Sequence, residues 1–156
     1  MDIRRGLATV LALLSVVLGA CTITGEDYET DTPVAKHLRE RLERFSREGP
    51  DGKGRRLADL TDFAWDTVYH FGGNDRYERV DAVVGETIFG RDGLLPDDFG
   101  LLVFTRDKHV VHAIGIIPPV YLEGGKRDSY RRAQAVLTAG GEHPGPYSLY
   151  FPDVRR

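Results

Sequence analysis

The chain has 156 residues, of which 41% are hydrophobic and 29% are charged, a composition that suits one folded domain and excludes a disordered chain or a multi-span membrane protein. Its 21 basic and 24 acidic side chains give a formal charge of −3, which excludes nucleic acid as a partner. The single cysteine excludes internal disulfides and multi-cysteine zinc or iron–sulfur sites.

Residues 1–20 have the features of a cleaved signal peptide. Two arginines precede an apolar run that extends from residue 6 to residue 20. At 15 residues this run is too short to span a bilayer comfortably, and it matches the hydrophobic region of a signal peptide. We therefore expect these residues to be removed from the mature protein.

The apolar run ends at the only cysteine of the chain, Cys21. The sequence Leu18-Gly19-Ala20-Cys21 resembles the lipobox of bacterial lipoproteins. The resemblance implies cleavage before Cys21, a diacylglyceryl thioether on its sulfur, and permanent attachment to the extracytoplasmic face of the cell membrane. An ordinary secretory signal and an uncleaved anchor helix are the alternatives, although both leave the cysteine without a role.

The mature chain is predicted to consist of a tether followed by a domain. Residues 21–31 comprise the lipidated cysteine and an acidic stretch without apolar periodicity, which we interpret as a tether that lifts the domain off the membrane. Residues 32–156 are predicted to form a single globular domain, which is long enough to bury its own hydrophobic core.

A long amphipathic helix is predicted at the start of the domain. Thr32 can cap it, Pro33 suits its first turn, and Gly49-Pro50 ends it. Between these signals, apolar side chains recur every three or four residues, as they do on one face of a helix. The pattern favours a helix packed on a sheet over a helix that binds a partner.

A short strand at 57–60 and a strong strand at 63–71 are predicted next. Gly72-Gly73 ends the strong strand. A short helix is then predicted from Asp75, read as its N-cap in a capping box with Glu78, to Gly85.

The remaining pattern is predominantly that of strands. Residues 99–106 and 109–117 are predicted to form a hairpin, because only Asp107-Lys108 separates them. Residues 131–138 and 147–151 are predicted as two further strands. The order of elements predicts an α+β domain: an antiparallel sheet of about five strands, with the long and the short helix packed on one face.

The segment from Trp65 to Phe71, WDTVYHF, resembles the W-D-x-V-Y-x-F signature of small uncharacterised bacterial lipoproteins. In that family a short helix ending in glycine follows, and a later hairpin is similar to residues 101–111 here. The similarity covers roughly residues 57–117. It implies a fold and a lipid anchor but supplies no activity, and the family's aromatic-proline-tyrosine turn is replaced here by residues 71–74.

The sequence carries no recognised catalytic or metal-binding motif, so we predict no catalytic residue, no metal and no cofactor. His109 and His112 are three apart, which on a strand places them on opposite faces. The glycine pairs at 72–73 and 124–125 lack the pattern of phosphate-binding loops, and the paired carboxylates at 97–98 are typical of solvated loops.

The strong strand also holds the candidate binding residues Trp65, Asp66, Tyr69 and His70. The aromatic side chains at alternate positions of this strand form a stripe that consists of Phe63, Trp65, Tyr69 and Phe71. The aromatic stripe is either the core side of the sheet, which we favour, or an exposed platform for a glycan or a partner. Asp66 is expected to orient Arg106 or His112 across the sheet.

These patterns predict a lipid-anchored binding or cell-envelope maintenance module, attached to the membrane through Cys21 and with a possible envelope protein partner. Two alternatives from other classes are a cell-wall-directed hydrolase, using Asp66 or His70 with a neighbouring carboxylate, and an inhibitor-like protein that presents its sheet to an enzyme. The hydrolase predicts a polar cleft where these groups converge, whereas the binding module predicts an exposed apolar patch.

Overall fold

The computed structural model describes residues 28–49, 53–124, 127–140 and 147–152. These residues form an α+β fold with two α-helices and two four-stranded, mostly antiparallel sheets. The helices are α1 (Pro33–Arg47) and α2 (Tyr77–Val84). The strands are β1 (Arg55–Arg56), β2 (Thr67–Phe71), β3 (Gly100–Arg106), β4 (His109–Ile116), β5 (Tyr121–Glu123), β6 (Ser129–Arg131), β7 (Val136–Ala139) and β8 (Ser148–Tyr150).

The expected single sheet of about five strands is not confirmed. The strand order is β4-β3-β2-β6 in the first sheet and β1-β7-β8-β5 in the second, where only the β5–β8 pair is parallel. The segment 131–138, whose alternating pattern predicted one strand, contains the end of β6 in the first sheet and the start of β7 in the second sheet. The amides of Gln134 and Ala135 both donate to the carbonyl of Arg131, so a turn separates β6 from β7.

Helix α1 follows its sequence signals. The Thr32 hydroxyl accepts a hydrogen bond from the Ala35 amide at 3.2 Å, and Pro33 occupies the first turn. The buried face comprises Ala35, Leu38, Leu42 and Phe45, and it packs against β3, β4 and the second sheet in one core. The predicted helix is therefore confirmed.

The two helices lie on opposite faces of the first sheet, so the expectation that both pack on one face is wrong. Alternate residues of β3 enter separate cores: Leu102 packs with the residues of α1, whereas Leu101 packs with Val80 and Val84 of α2. Because side chains alternate along a strand, these two cores cover the two faces of the sheet.

Two shorter elements differ from their predictions. Residues Leu57–Asp59 form a 3-10 helix rather than a strand. Helix α2 ends at Gly85 as expected, but its N-cap is Arg76. Asp75 instead accepts a hydrogen bond from the Gly72 amide at 2.9 Å and pairs with Arg79, so it closes the turn after β2 rather than capping the helix.

The β3–β4 hairpin is confirmed. Both residues of its loop have positive φ, 52° at Asp107 and 70° at Lys108, as the favoured two-residue hairpin turns require.

We expect Lys108→Gly to raise the free energy of unfolding by about 0.5 kcal/mol, because only glycine adopts this backbone conformation without steric cost. Urea denaturation measures the change. Lys108→Ala, which retains the strain, is the matched control and should leave the stability nearly unaltered.

The segment before α1 is attached to the first sheet. Glu29 forms a parallel bridge with Ile114 of β4, in which its amide donates to the Ala113 carbonyl and its carbonyl accepts from the Gly115 amide. This segment covers an edge of the sheet, and the folded domain therefore extends into the predicted tether at least as far as residue 28. Within the described ranges, no helix combines the length and the apolar character needed to cross a membrane.

Candidate functional site

The four candidate binding residues do not form one site. Trp65 is buried: its indole N–H donates to the Thr61 hydroxyl at 2.9 Å, and the guanidinium of Arg132 lies over its ring. Tyr69 is partly buried in the core on the α2 side. Phe71 is fully buried in that same core, so the aromatic stripe is divided between two cores and is not an exposed platform.

Asp66 stabilises the hairpin. Its carboxylate accepts a hydrogen bond from the Asp107 amide at 2.8 Å, and its own amide donates to the Thr105 carbonyl. The expected contact with Arg106 or His112 is replaced by this bond to the turn. Asp66 and His70 are four residues apart along an extended chain, which corresponds to about 13 Å, so they do not converge on one substrate.

Strand β2 begins at Thr67 rather than at residue 63 as predicted, so Asp66 precedes it, whereas His70 lies near its far end in a different environment. Its side chain is buried on the face of the sheet toward α1 and packs beside Phe151, with ring centroids 5.9 Å apart. The ring forms a hydrogen bond with the backbone of Leu122, while its Nε2 atom is buried without a hydrogen-bond partner. A buried polar atom in this state is rare in folded proteins and marks the position as a candidate site.

A cleft of about 300 Å³ opens beside His70, where β5 of the second sheet passes the ends of β2 and β3. We call it the His70 cleft. Three chain segments form its walls, at residues 70–73, 97–100 and 120–124. The volume is at the lower end of the range of small-molecule sites. The cleft is therefore large enough for one small ligand.

Two glycines allow these walls to approach one another. A Cβ atom on Gly73 would lie 1.9 Å from the Asp97 carbonyl oxygen, so only glycine permits this contact between the two backbones. A Cβ atom on Gly124 would lie 2.6 Å from Nδ1 of His70. Because residue 124 has no side chain, there is room beside it for the edge of the His70 imidazole.

The residues that line the cleft include three carboxylates and one imidazole. Asp97, Asp98 and Glu123 line it, and both aspartates are exposed. Burial lowers the pKa of His70 to about 4, although the Leu122 backbone and the carboxylates of Asp75 and Asp128 act in the opposite direction. At neutral pH the imidazole is therefore uncharged.

Two histidine–carboxylate pairs lie elsewhere. His37 approaches Asp62 at 3.2 Å beside Arg41, at a groove of about 250 Å³ between α1 and residues 60–63. Both side chains of the pair are more than half exposed, so the contact is worth little energetically.

The second pair joins the N-terminal segment to β4, where Nδ1 of His112 lies 2.7 Å from the Glu29 carboxylate. Burial raises the pKa of Glu29, but the hydrogen bonds from His112 and Thr32 outweigh it and leave the pKa below its usual value. A register shift between Phe104 and Thr105 places His112 opposite Phe104. The pair joins the N-terminal segment to the edge of the sheet, and we call this contact the clasp. His109 does not take part in it and lies toward Glu86.

Two further observations concern metal ligands and a serine hydroxyl. In the described part of the chain, His, Cys, Asp and Glu side chains form no group of three that could hold a metal ion. The hydroxyl of Ser46 is buried and donates a hydrogen bond to the Glu43 carbonyl. His70 and the carboxylates of Asp97 and Asp98 line one cleft, which is large enough for a small ligand.

The sequence indicates His70 as a candidate binding residue but does not indicate its surroundings. The glycine pairs and the paired aspartates are separate features of the sequence, and the structure brings Gly73, Gly124 and Asp97 together with His70 around one cleft. No local sequence signal predicts that these residues lie close together, because their proximity depends on how β5 crosses the first sheet.

No protein-family model, curated protein or solved structure matches the chain.

Proposed function

We propose that this protein is a lipid-anchored extracytoplasmic binding protein of the cell envelope, held to the membrane by a lipid on Cys21. Its ligand site is the His70 cleft. The observation that carries the binding role is the buried Nε2 of His70, which has no hydrogen-bond partner and belongs to a residue that lines a cleft of about 300 Å³. The lipid anchor rests on the resemblance of Leu18-Gly19-Ala20-Cys21 to a lipobox.

The structure gives less support to the two alternatives. A hydrolase that uses Asp66 and His70 together is disfavoured, because Asp66 precedes β2 and is bonded to the hairpin turn, whereas His70 lies near the other end of that strand. His70 with a neighbouring carboxylate keeps some support, since Asp97 and Asp98 line the same cleft. An inhibitor that presents a sheet face to an enzyme requires an open face. The first sheet does not meet this requirement, because one of its faces is covered by a core with residues of α1 and the other by a core with residues of α2. The second sheet contributes residues to only the first of these cores, so the inhibitor alternative would have to use that sheet.

An envelope maintenance role with a protein partner remains part of the proposal. The largest exposed apolar side chains in the described ranges are Leu94, Ile117 and Tyr121, of which only Tyr121 lines the cleft. These side chains do not constitute a broad apolar patch, so the cleft is the better candidate for recognition.

The anchor is tested by expressing the full chain and its Cys21→Ser variant in a bacterium that processes lipoproteins. The wild type is expected to label with an alkyne fatty acid, to run at the mature size and to fractionate with membranes. Cys21→Ser is expected to lose the label entirely and to accumulate as precursor, because the thioether requires a sulfur atom. Thr22→Ser is the matched control. A Cys21→Ser protein of mature size that remains in the membrane fraction overturns the anchor.

A further inference from the structure

We propose that the short tether holds the hairpin end of the first sheet toward the bilayer and holds the opposite end, with the His70 cleft, away from it. The hairpin end comprises the β3–β4 loop and the residues beside it, 106–109. This inference rests on the proposed lipid anchor and adds an orientation to it. The bilayer surface is the partner of the hairpin end, and the cleft opens toward the aqueous space above the membrane.

The hairpin loop and the cleft lie at opposite ends of the first sheet. Leu102 of β3 pairs with both His70 and Ile114, so these three residues lie at one level across the sheet. From that level β4 runs back to the hairpin loop at Lys108, six residues or about 20 Å away. The walls of the cleft include the residues that follow β2 and those that precede β3, so the cleft lies at the other end.

The first described residues show the side from which the tether joins the domain. Glu29 forms a parallel bridge with Ile114, so Tyr28 lies on the hairpin side of Glu29. Tyr28 is fixed in place, because its ring packs against Phe89 and Phe99 with centroids 6.2 and 4.7 Å away. The clasp also holds this segment on the edge of β4. The tether therefore starts on the side that leads to the hairpin loop.

The length of the tether disfavours the reverse orientation. Seven residue steps separate Cys21 from Tyr28, and they span at most about 25 Å. This reach passes the hairpin loop, which lies about 17 Å from the level of Tyr28. If the cleft end faced the bilayer, the chain would have to reverse before Tyr28, and a β-turn uses about four residues. The rest reaches about 10 Å, which only equals the distance that the sheet extends from Glu29 to Ile117.

The charges of the two ends agree with this orientation. Among the described residues, the hairpin end and the strand ends beside it hold four basic and three acidic side chains: Arg106, Lys108, Arg131, Arg132, Asp66, Glu86 and Asp107. The described residues that line the cleft include three carboxylates and no lysine or arginine. A bilayer that contains anionic lipid therefore repels the cleft more strongly than the hairpin end.

The test compares how close two positions of the lipidated full-length protein lie to the bilayer surface. A fluorophore is attached at Lys108→Cys in the hairpin loop or at Asp98→Cys beside the cleft, and both positions are exposed. The introduced cysteine is the only free thiol, because Cys21 is the single cysteine of the chain and carries the lipid. The proteins are placed in phosphatidylcholine–phosphatidylglycerol vesicles whose headgroups carry a nitroxide quencher. Since the two ends differ in height by about 20 Å or more, quenching is expected to be about threefold stronger at residue 108.

A change in tether length tests the cause of the orientation. Insertion of about 20 glycine and serine residues after Thr24 is expected to bring the two quenching values together, because a long flexible linker lets the domain rotate. The double variant Ile23→Gly/Thr24→Ser keeps the length of the tether and is the matched control. It should retain the difference between residues 108 and 98.

The outcomes separate the orientation from the anchor on which it rests. Vesicle-bound protein with equal quenching at the two positions, or with stronger quenching at residue 98, overturns the orientation and leaves the anchor intact. Protein that does not remain with the vesicles overturns the anchor, and the orientation fails with it. An undiminished difference after the insertion overturns the role of the short tether.

Discussion

Trp65→Ala is expected to lower the free energy of unfolding by about 3–5 kcal/mol, the range typical of a large aromatic side chain removed from a core. Trp65 is 2% exposed and packs edge-on against Phe104, with ring centroids 5.3 Å apart. The substitution also removes the hydrogen bond from its indole to Thr61 and the stacking of Arg132. Chemical denaturation monitored by circular dichroism gives the difference.

Two further variants divide the contributions of Trp65. Trp65→Phe keeps part of the packing and is expected to cost less than Trp65→Ala. Thr61→Val removes the partner of the indole N–H and is expected to cost about 1–3 kcal/mol, since that donor stays buried. If Trp65→Ala costs less than 1 kcal/mol, the side chain is not a core residue and the exposed platform becomes the better interpretation of the motif.

The stability of the domain is expected to fall by about 3 kcal/mol between pH 6.5 and pH 4 because of His70 alone. Burial lowers the pKa of His70 from 6.5 to about 4 in the folded protein. Between these two values the unfolded chain takes up a proton that the folded chain does not, so acidification favours unfolding. At about 1.4 kcal/mol per pKa unit, the difference between the two pKa values amounts to about 3 kcal/mol.

The sign and the pH window make this effect separable from others. Glu29 has a lowered pKa in the folded state, so its contribution is present above its ordinary value of 4.5 and is lost at lower pH. Urea unfolding at pH 7.5, 6.5, 5.5 and 4.5 therefore reports mainly on histidine.

A histidine variant assigns the slope to one residue. His70→Asn retains a hydrogen-bonding amide but cannot titrate, so its stability is expected to vary less over this range than that of the wild type. His37→Gln, at a side chain that is half exposed, is the control and should keep the wild-type slope. An unchanged slope in His70→Asn, or its loss in His37→Gln, contradicts the assignment.

The elements with strong local signals were predictable from the sequence. The cap at Thr32 with Pro33 after it, and the two-residue loop at Asp107-Lys108, each specify backbone geometry within a few residues. The division into two sheets was not predictable in this way. Residues 131–138 alternate as one strand, and only the turn at Arg131 reveals that the segment serves two sheets.

The candidate site, like the division into two sheets, could be predicted only in part from the sequence. His70 could be recognised as a polar side chain in an apolar strand, but its neighbours come from segments some 25 and 50 residues further along the chain. Asp66, equally suggestive in sequence, lies just before β2 and accepts a hydrogen bond from the hairpin turn. Alternation places a side chain on a face of a sheet, but it does not identify which distant segment lies at the end of that strand.

The clasp between Glu29 and His112 has a consequence for where the domain operates. If Cys21 carries the lipid as proposed, eight residue steps separate it from Glu29. A fully extended chain of that length reaches about 28 Å. Strand β2 lies two strands from β4, or about 10 Å further. The cleft would thus be confined to a layer about 4 nm deep above the bilayer. A ligand carried on another molecule of the same membrane would be met by diffusion in two dimensions, at a high effective concentration.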